Sequence, residues 1–276
     1  MLYLIATPIG NLADITIRAL DTLKLCDYIL CEDTKHSRIL LSHHKIQKPL
    51  ISYHKFNESE KEKMILEDLC EGKNIALISD AGTPGICDPG QDLIQACRLH
   101  DLPYTVIPGP CAAIAALTLS SLSTENFQMI GFLPKKLSDL QKVFQEILYY
   151  PGITISYETP HRIERTLELA VKHIPTCTLC IVREITKKFE EILNGAPQEL
   201  LERVQQKPLK GEIVLLFSPS NQGHSQISLE ELTPEEHVQK LQEEFGLSLQ
   251  EAIKTVAKHR QVPKREIYNK IHREES

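Results

Sequence analysis

A chain of 276 residues, 42% apolar and 25% charged, has the makeup of a soluble protein with room for two cores. Its formal net charge of −6 excludes a general attraction to nucleic acid, so a polyanionic partner requires a local basic surface. Eight cysteines and no tryptophan do not describe a secreted disulfide scaffold. The cysteines, at 26, 31, 70, 87, 97, 111, 177 and 180, fall mostly among apolar strand-like or helical positions and read as buried thiols in a reducing compartment.

The pattern begins with an apolar strand over residues 2–6, which reads as structure rather than as a signal peptide. A turn at 7–11 follows, and then an amphipathic helix through Leu12, Ile15, Leu20 and Leu23. Residues 28–31 are a second strand, ending in the polar cluster from Glu32 to Arg38, and 50–53 lead into a charged helix over 60–70. A fourth strand, 75–78, runs into a loop at 79–90 crowded with turn residues, where Gly82 and Gly85 permit unusual backbone and Pro84 and Pro89 stiffen it. Asp80 is the charge in its first turn, suited either to a ligand hydroxyl or amine or to capping a tight connection. A helix over 91–100 and a strand over 104–107 lead to Pro108-Gly-Pro-Cys-Ala-Ala113. Such alternation predicts an open α/β sheet whose loops after Ala6, Cys31, Ser79 and Ile107 share one rim. The apolar stretch 112–122 is interrupted by Thr118, Ser120 and Ser121 and is too short for a membrane span.

Residues 131–136 read as a hinge, giving a first domain over 1–130 and a second over 131–220. In the second, a strand at 153–157 ends at Glu158-Thr-Pro-His-Arg162, with Thr159 as cap and Pro160 in the first turn of the next helix. Strands at 178–182, 190–193 and 213–217 and a helix at 197–204 follow, some connections being short enough to require antiparallel pairs. Residues 221–276 are a polar linker and three short helices of helix-turn-helix character, with Lys or Arg at 254, 258, 260, 264, 265, 270 and 273. They suit a solvated helical cap or a nucleic-acid contact, and nearby glutamates offset part of the charge.

Neither G-x-G-x-x-G nor G-x-x-x-x-G-K-[ST] is present. Cys177-Thr-Leu-Cys180 has the spacing of half a zinc site without a second half, and strand alternation explains it as structural thiols, so no metal is expected. Glu32, Asp33, His36 and His161 form a hydrolytic arrangement only if the fold gathers them.

The loop sequences Leu4-Ile-Ala-Thr-Pro-Ile-Gly-Asn-Leu12, Cys31-Glu-Asp-Thr-Lys-His-Ser-Arg38, Ser79-Asp-Ala-Gly-Thr-Pro84 and Pro108-Gly-Pro-Cys-Ala112 closely resemble the ribosomal RNA small subunit methyltransferase I family. Gly131-Phe-Leu-Pro-Lys135, Tyr157-Glu-Thr-Pro-His-Arg162, Arg183-Glu-Ile-Thr-Lys187 and Lys210-Gly-Glu-Ile-Val214 continue the resemblance in order, and Cys111 departs from the usual serine. The resemblance implies two α/β domains of the tetrapyrrole methylase type with an active-site cleft between them, plus the small C-terminal helical segment. It further implies S-adenosylmethionine as cofactor, a cytidine ribose 2′-hydroxyl of 16S rRNA in the small ribosomal subunit as acceptor, and a cytoplasmic homodimer with no membrane association. Pro8, Gly10, Asp80, Ala81, Gly82, Thr83, Cys111 and Ala112 are the expected cofactor contacts. Lys35, Arg38, Lys135, Arg162, Arg183 and Lys187 are the expected RNA contacts, and Lys135, Glu158 and His161 the acceptor-side catalytic candidates. Glu32, Asp33 and His36 join Glu158 and His161 as possible proton acceptors, with no general base singled out. A small-molecule methyltransferase with the same fold and a noncatalytic RNA-binding protein are the competing classes.

Overall fold

A computed structural model describes residues 1–218, 232–245, 247–260 and 262–271. Two units form: Met1–Leu119 with Val182–Glu191, and Ser120–Ile181 with the described residues from Ile192 on. The first is a five-stranded sheet of β1 (Leu2–Ile5), β2 (Tyr28–Cys31), β3 (Leu50–Ser52), β4 (Ile75–Ile78) and β5 (Tyr104–Ile107), ordered β3-β2-β4-β1-β5. Its pairs are all parallel, so each connection crosses over through a helix. These helices are α1 (Ile17–Leu25), α2 (Thr34–His43), α3 (Glu58–Cys70) and α4 (Gln91–Leu99), with α5 (Ala112–Leu119) after β5.

Continuous apolar runs suit strands covered on both faces, and alternation sends successive residues to opposite sides. Ile5, Ile29, Cys31, Ala76, Ile78 and Ile107 pack in one core with Ala19 and Leu23 of α1 and Leu40 and Leu41 of α2. Leu2, Leu4, Tyr28, Leu30, Ile75 and Leu77 pack in the other with Ile65 and Leu69 of α3 and Leu93 and Cys97 of α4. Register decides where the loops start. Ile5 pairs with both Ile78 and Ile107, and Ile78 pairs with Cys31, so four strands end level and their loops leave from one rim. The helix expected from Leu12 instead starts at Ile17, after a 3-10 turn at Leu12–Asp14, because the Thr16 side chain accepts from Ala19 N–H and caps it there.

The second unit is the sheet β6-β7-β10-β8-β9, made of β6 (Phe127–Phe132), β7 (Ile153–Glu158), β8 (Thr178–Arg183), β9 (Glu191–Gly195) and β10 (Ile213–Ser218). The expected antiparallel component is present, since β10 runs antiparallel to β7. Helices α6 (Leu137–Tyr149), α7 (Ile163–His173) and α8 (Pro197–Gln206) pack on it around Phe144, Leu167, Leu200, Leu215 and Phe217. The tail adds α9 (Pro234–Phe245), α10 (Leu249–His259) and α11 (Lys264–Ile271), with a core of their own around Leu241, Ile253, Val256 and Ile267.

Several expectations are corrected. The division falls between Leu119 and Ser120 rather than near 131, because residues 127–132 form β6 and pair with β7. Gly131, at φ +70°, lies at the irregularity in that pairing and is a bulge, not a hinge. Helix α7 starts beyond Thr159 and Pro160, with Arg162 at its cap position and no side-chain cap; the Thr159 main-chain carbonyl accepts from Arg162 and Ile163 instead. Cys26, Cys31, Cys97, Cys177 and Cys180 are buried as expected, whereas Cys70 and Cys87 are exposed and Cys111 is half-buried. Burial pushes the Cys177 and Cys180 thiols up to about 12. Cys177 joins the core with Leu179 and Ile181, and alternation along β8 turns Cys180 the other way. Beyond Ser218 the expected polar linker lies outside the described residues, as does Arg273.

Candidate functional site

On the rim of the first unit, the loops after β1 and β4 are stitched together. Thr7 and Gly82 form an isolated antiparallel bridge: Thr7 N–H donates to the Gly82 carbonyl at 2.9 Å and Gly82 N–H donates back to Thr7 at 3.1 Å. The Thr7 hydroxyl donates to the Ser79 carbonyl at 3.1 Å, and the Ser79 hydroxyl lies 3.3 Å from the carbonyls of Ala81 and Gly82. Gly82 sits at φ +78°, a conformation that L side chains rarely adopt. A β-carbon there would lie only 3.6 Å from Ile9 and 3.8 Å from the Pro110 carbonyl, so the loops after β1, β4 and β5 converge. Pro8 is buried and Gly10 exposed; Asp80, Thr83, Cys111 and Ala112 are half-buried and Ala81 is exposed. The eight expected cofactor residues thus fall within three loops of one rim.

Gly10 has a packing role. A β-carbon on it would lie 2.6 Å from Cγ of Lys187 and 3.0 Å from the Ile185 carbonyl, so it admits the turn between β8 and β9. That turn is strained: Glu184 and Thr186 have φ of 53° and 64°, costing on the order of 1–3 kcal/mol each. Thr186 N–H donates to Glu190 at 2.7 Å, while the Thr186 hydroxyl is buried with no hydrogen-bond partner among the described residues. Gly10→Ala is expected to force the turn outward and destabilise the protein by about 1 kcal/mol, read as a lower midpoint in urea; an unchanged midpoint would mean the turn yields freely.

Carboxylates gather at the same rim. Asp80 accepts from Asp33 N–H at 3.2 Å, and Asp33 itself caps α2 by accepting from Lys35 N–H at 2.7 Å and His36 N–H at 3.4 Å. Asp33 is therefore engaged in capping its helix. Burial chiefly, then the Asp80 and Asp88 charges, raise the Glu32 carboxyl above its ordinary range, with His54 opposing. Burial and Asp80 likewise raise Asp88, against a Ser79 hydrogen bond that lowers it. A raised carboxyl holds its proton more tightly in the folded state, so stability falls as pH climbs from the ordinary carboxylate range through the raised value. Asp88→Asn should therefore raise the melting temperature at neutral pH and lose that advantage near pH ~4; a gain that persists undiminished at acid pH would refute the electrostatic origin.

In the second unit the acceptor-side candidates separate. Glu158 is a fully buried brace: one carboxylate oxygen accepts from Thr159 N–H at 2.8 Å, the other accepts from the Thr166 hydroxyl at 2.8 Å, and Arg162 Nε lies 3.5 Å away. Arg162 also donates to the carbonyls of Leu133 and Pro134 at 2.9 and 2.8 Å, so it ties the turn before α6 to the turn before α7. Lys135 and His161 are exposed, and Lys135, Arg162 and Arg165 line one small pocket. Of the other expected RNA contacts, Lys35 and Arg38 are exposed on α2. Arg183 pairs with Glu191 at 2.6 Å and Lys187 with Glu184 at 2.9 Å, both largely covered. Sequence reasoning missed Thr7, Ser79, Asp88 and Arg165. Threonine and serine at strand ends carry no signal apart from the bridge they make, and Asp88 is one polar residue among the many of the 79–90 loop.

The profile of the Tetrapyrrole (Corrin/Porphyrin) Methylases family matches residues 1–201. A protein of Halalkalibacterium halodurans named ribosomal RNA small subunit methyltransferase I is 41% identical over 99% of this chain and 95% of its own length. The chain belongs to the ribosomal RNA small subunit methyltransferase I family. Another methyltransferase I, from Bacillus subtilis, is 37% identical over 99% of this chain and 94% of its own length. Among solved structures, diphthine synthase superposes with a TM-score of 0.62 at 12% identity, covering 79% of this chain and 89% of its own. Uroporphyrin-III-C-methyltransferase of Thermus thermophilus gives 0.55 at 19%, covering 79% and 93%. At those identities the likeness concerns the fold, and this methyltransferase I chain has the tetrapyrrole methylase architecture expected of it.

Proposed function

We propose that this chain transfers a methyl group from S-adenosylmethionine to the 2′-hydroxyl of a cytidine ribose in 16S rRNA, near the decoding centre of the small ribosomal subunit, as a cytoplasmic homodimer. The observation that carries this reading is the match to ribosomal RNA small subunit methyltransferase I over 99% of the chain. The rim of the first unit fits the cofactor chemically. S-adenosylmethionine carries two cationic centres and a carboxylate when bound, and it supplies an electrophilic methyl. Glu32, Asp80 and Asp88 crowd negative charge at the rim, and a cation there relieves their mutual repulsion. The first turn of α5 offers main-chain donors for a carboxylate. Small residues at Ala81, Gly82, Cys111 and Ala112 let a ligand reach the main chain.

Acceptor seating falls to the second unit in this reading. Lys135 and Arg165 beside the braced Arg162 suit one phosphate of the RNA strand, and exposed His161 precedes Arg162 in the sequence. Lys35 and Arg38 add exposed cations on α2. Correct placement of the ribose oxygen supplies much of the rate, with no general base assigned. The homodimer is supported by Tyr104 and Val106, which are 40% and 50% exposed two residues apart on edge strand β5. Labelled S-adenosylmethionine offered with assembled small subunits, free 16S rRNA and a precorrin-like macrocycle tests the reading. Label at one cytidine ribose is expected; label only in the macrocycle, or RNA binding without transfer, would overturn it in favour of one or the other competing class.

A further inference from the structure

The tail lies beyond the stretch that matches the tetrapyrrole methylases, which ends at residue 201. Its three helices close over Val238, Leu241, Ile253, Val256 and Ile267, so the tail needs no cover from the sheet to bury its apolar side. It is held to α6 of the same unit by ion pairs: Lys258 with Glu146 at 2.7 Å and Lys142 with Glu251 at 3.8 Å. Charge is divided unevenly between its helices. Helix α9 holds Glu235, Glu236, Glu243 and Glu244 against Lys240, whereas the stretch from α10 through α11 holds Lys254, Lys258, Arg260, Lys264, Arg265 and Lys270 against Glu251 and Glu266. Several of those cations are engaged, Lys258 with Glu146, Lys270 with Glu266 and Arg260 with the Leu232 carbonyl. On α11, Ile267 is 1% exposed and faces the core. The helical period then places Arg265 and Asn269 on the side away from Ile267, with Lys264 and Tyr268 one turn apart on the adjoining flank, beside the core stripe of Ile267 and Ile271. All four are exposed, and Tyr268 keeps 49% of its surface.

We propose that this outer face of α11 is a docking surface for a duplex segment of the substrate rRNA, adding affinity without touching the reacting centre. Two cations one residue apart on a helix suit successive phosphates of a backbone. The half-exposed ring of Tyr268 lies between them around the helix and presents an edge to the shallow groove of A-form RNA. Acidic α9 confines the contact to the α10–α11 side. This inference rests on the rRNA reading above, and the experiment separates the two.

The full chain and a Lys264→Glu, Arg265→Glu, Tyr268→Ala variant are compared for affinity to free 16S rRNA and to small subunits at several salt concentrations. S-adenosylmethionine affinity and single-turnover methylation at saturating RNA are measured alongside. The dissociation constant for free rRNA should rise about tenfold or more at low salt, and the salt slope should fall by about 2. Cofactor affinity and the saturated rate should match the parent. Identical RNA curves would overturn the proposal, as would a loss confined to assembled subunits, which would make the face a protein contact. A fall in cofactor affinity would make it structural. If the parent itself neither binds nor methylates rRNA, the underlying functional reading fails before the variant is considered.

Discussion

Gly82→Val should lower S-adenosylmethionine affinity by about thirtyfold, because the loop pays roughly 2 kcal/mol to hold a β-branched residue in the left-handed region. Space is not the obstacle, since a β-carbon at Gly82 would meet Ile9 at 3.6 Å and the Pro110 carbonyl at 3.8 Å. The φ of +78° is. A valine escapes that strain by rotating the peptide, which breaks the bridge between Thr7 and Gly82 and parts the loops after β1 and β4. A ligand that requires the joined loops must then restore the strained form, and the cost shows as lost affinity. Gly72 supplies the control: it has φ +87°, nothing within 4 Å, and lies in the turn between α3 and β4. Gly72→Val should destabilise the fold by a similar amount and leave affinity alone. Calorimetric titration of both folded variants decides the matter. Equal affinities for Gly82→Val and parent would remove Gly82 from the cofactor site, and an equal loss in Gly72→Val would make the effect one of general stability.

The rim where the loops of the first unit converge was legible in the sequence because the information is local. Each parallel strand is a short apolar run ended by turn residues, and the flush register of Ile5, Cys31, Ile78 and Ile107 follows once these runs lie in one sheet. The boundary at Leu119 was hidden because Gly131 and Pro134 look like a break, while β6 is recognised only through its pairing with β7. The packing role of Gly10 was hidden for a similar reason: the residue it makes room for, Lys187, lies far along the chain. The cations at 162, 183 and 187 looked equivalent to those at 35, 38 and 135. What separates them is tertiary, namely Glu158, Glu191 and Glu184 at ion-pair distance, and no periodicity reports that.

His161→Ala and Glu158→Ala should part company, although the two residues stand in one motif. Glu158 has a side chain with no exposure, and it accepts from Thr159 N–H and the Thr166 hydroxyl while holding Arg162. Removing it strands a main-chain donor and the guanidinium that binds Leu133 and Pro134, so Glu158→Ala should cost on the order of 3 kcal/mol of stability. Glu158→Gln keeps an acceptor oxygen and should cost less. Any fall in methyl transfer in Glu158→Ala then reports a displaced turn. His161 is exposed, and its loss should change stability by under ~0.5 kcal/mol. If His161 helps seat the ribose beside Lys135 and Arg165, single-turnover methylation of small subunits at saturating enzyme should fall about a hundredfold, the scale expected when an acceptor is misplaced by an ångström. Cofactor affinity should be unchanged. Full-rate transfer by a folded His161→Ala protein would end its acceptor-side role, and weakened cofactor binding would move it to the other half of the site. A pH–rate profile separates placement from proton transfer: loss of a titrating limb identifies a base, whereas a uniformly lowered profile identifies a residue that only positions the ribose.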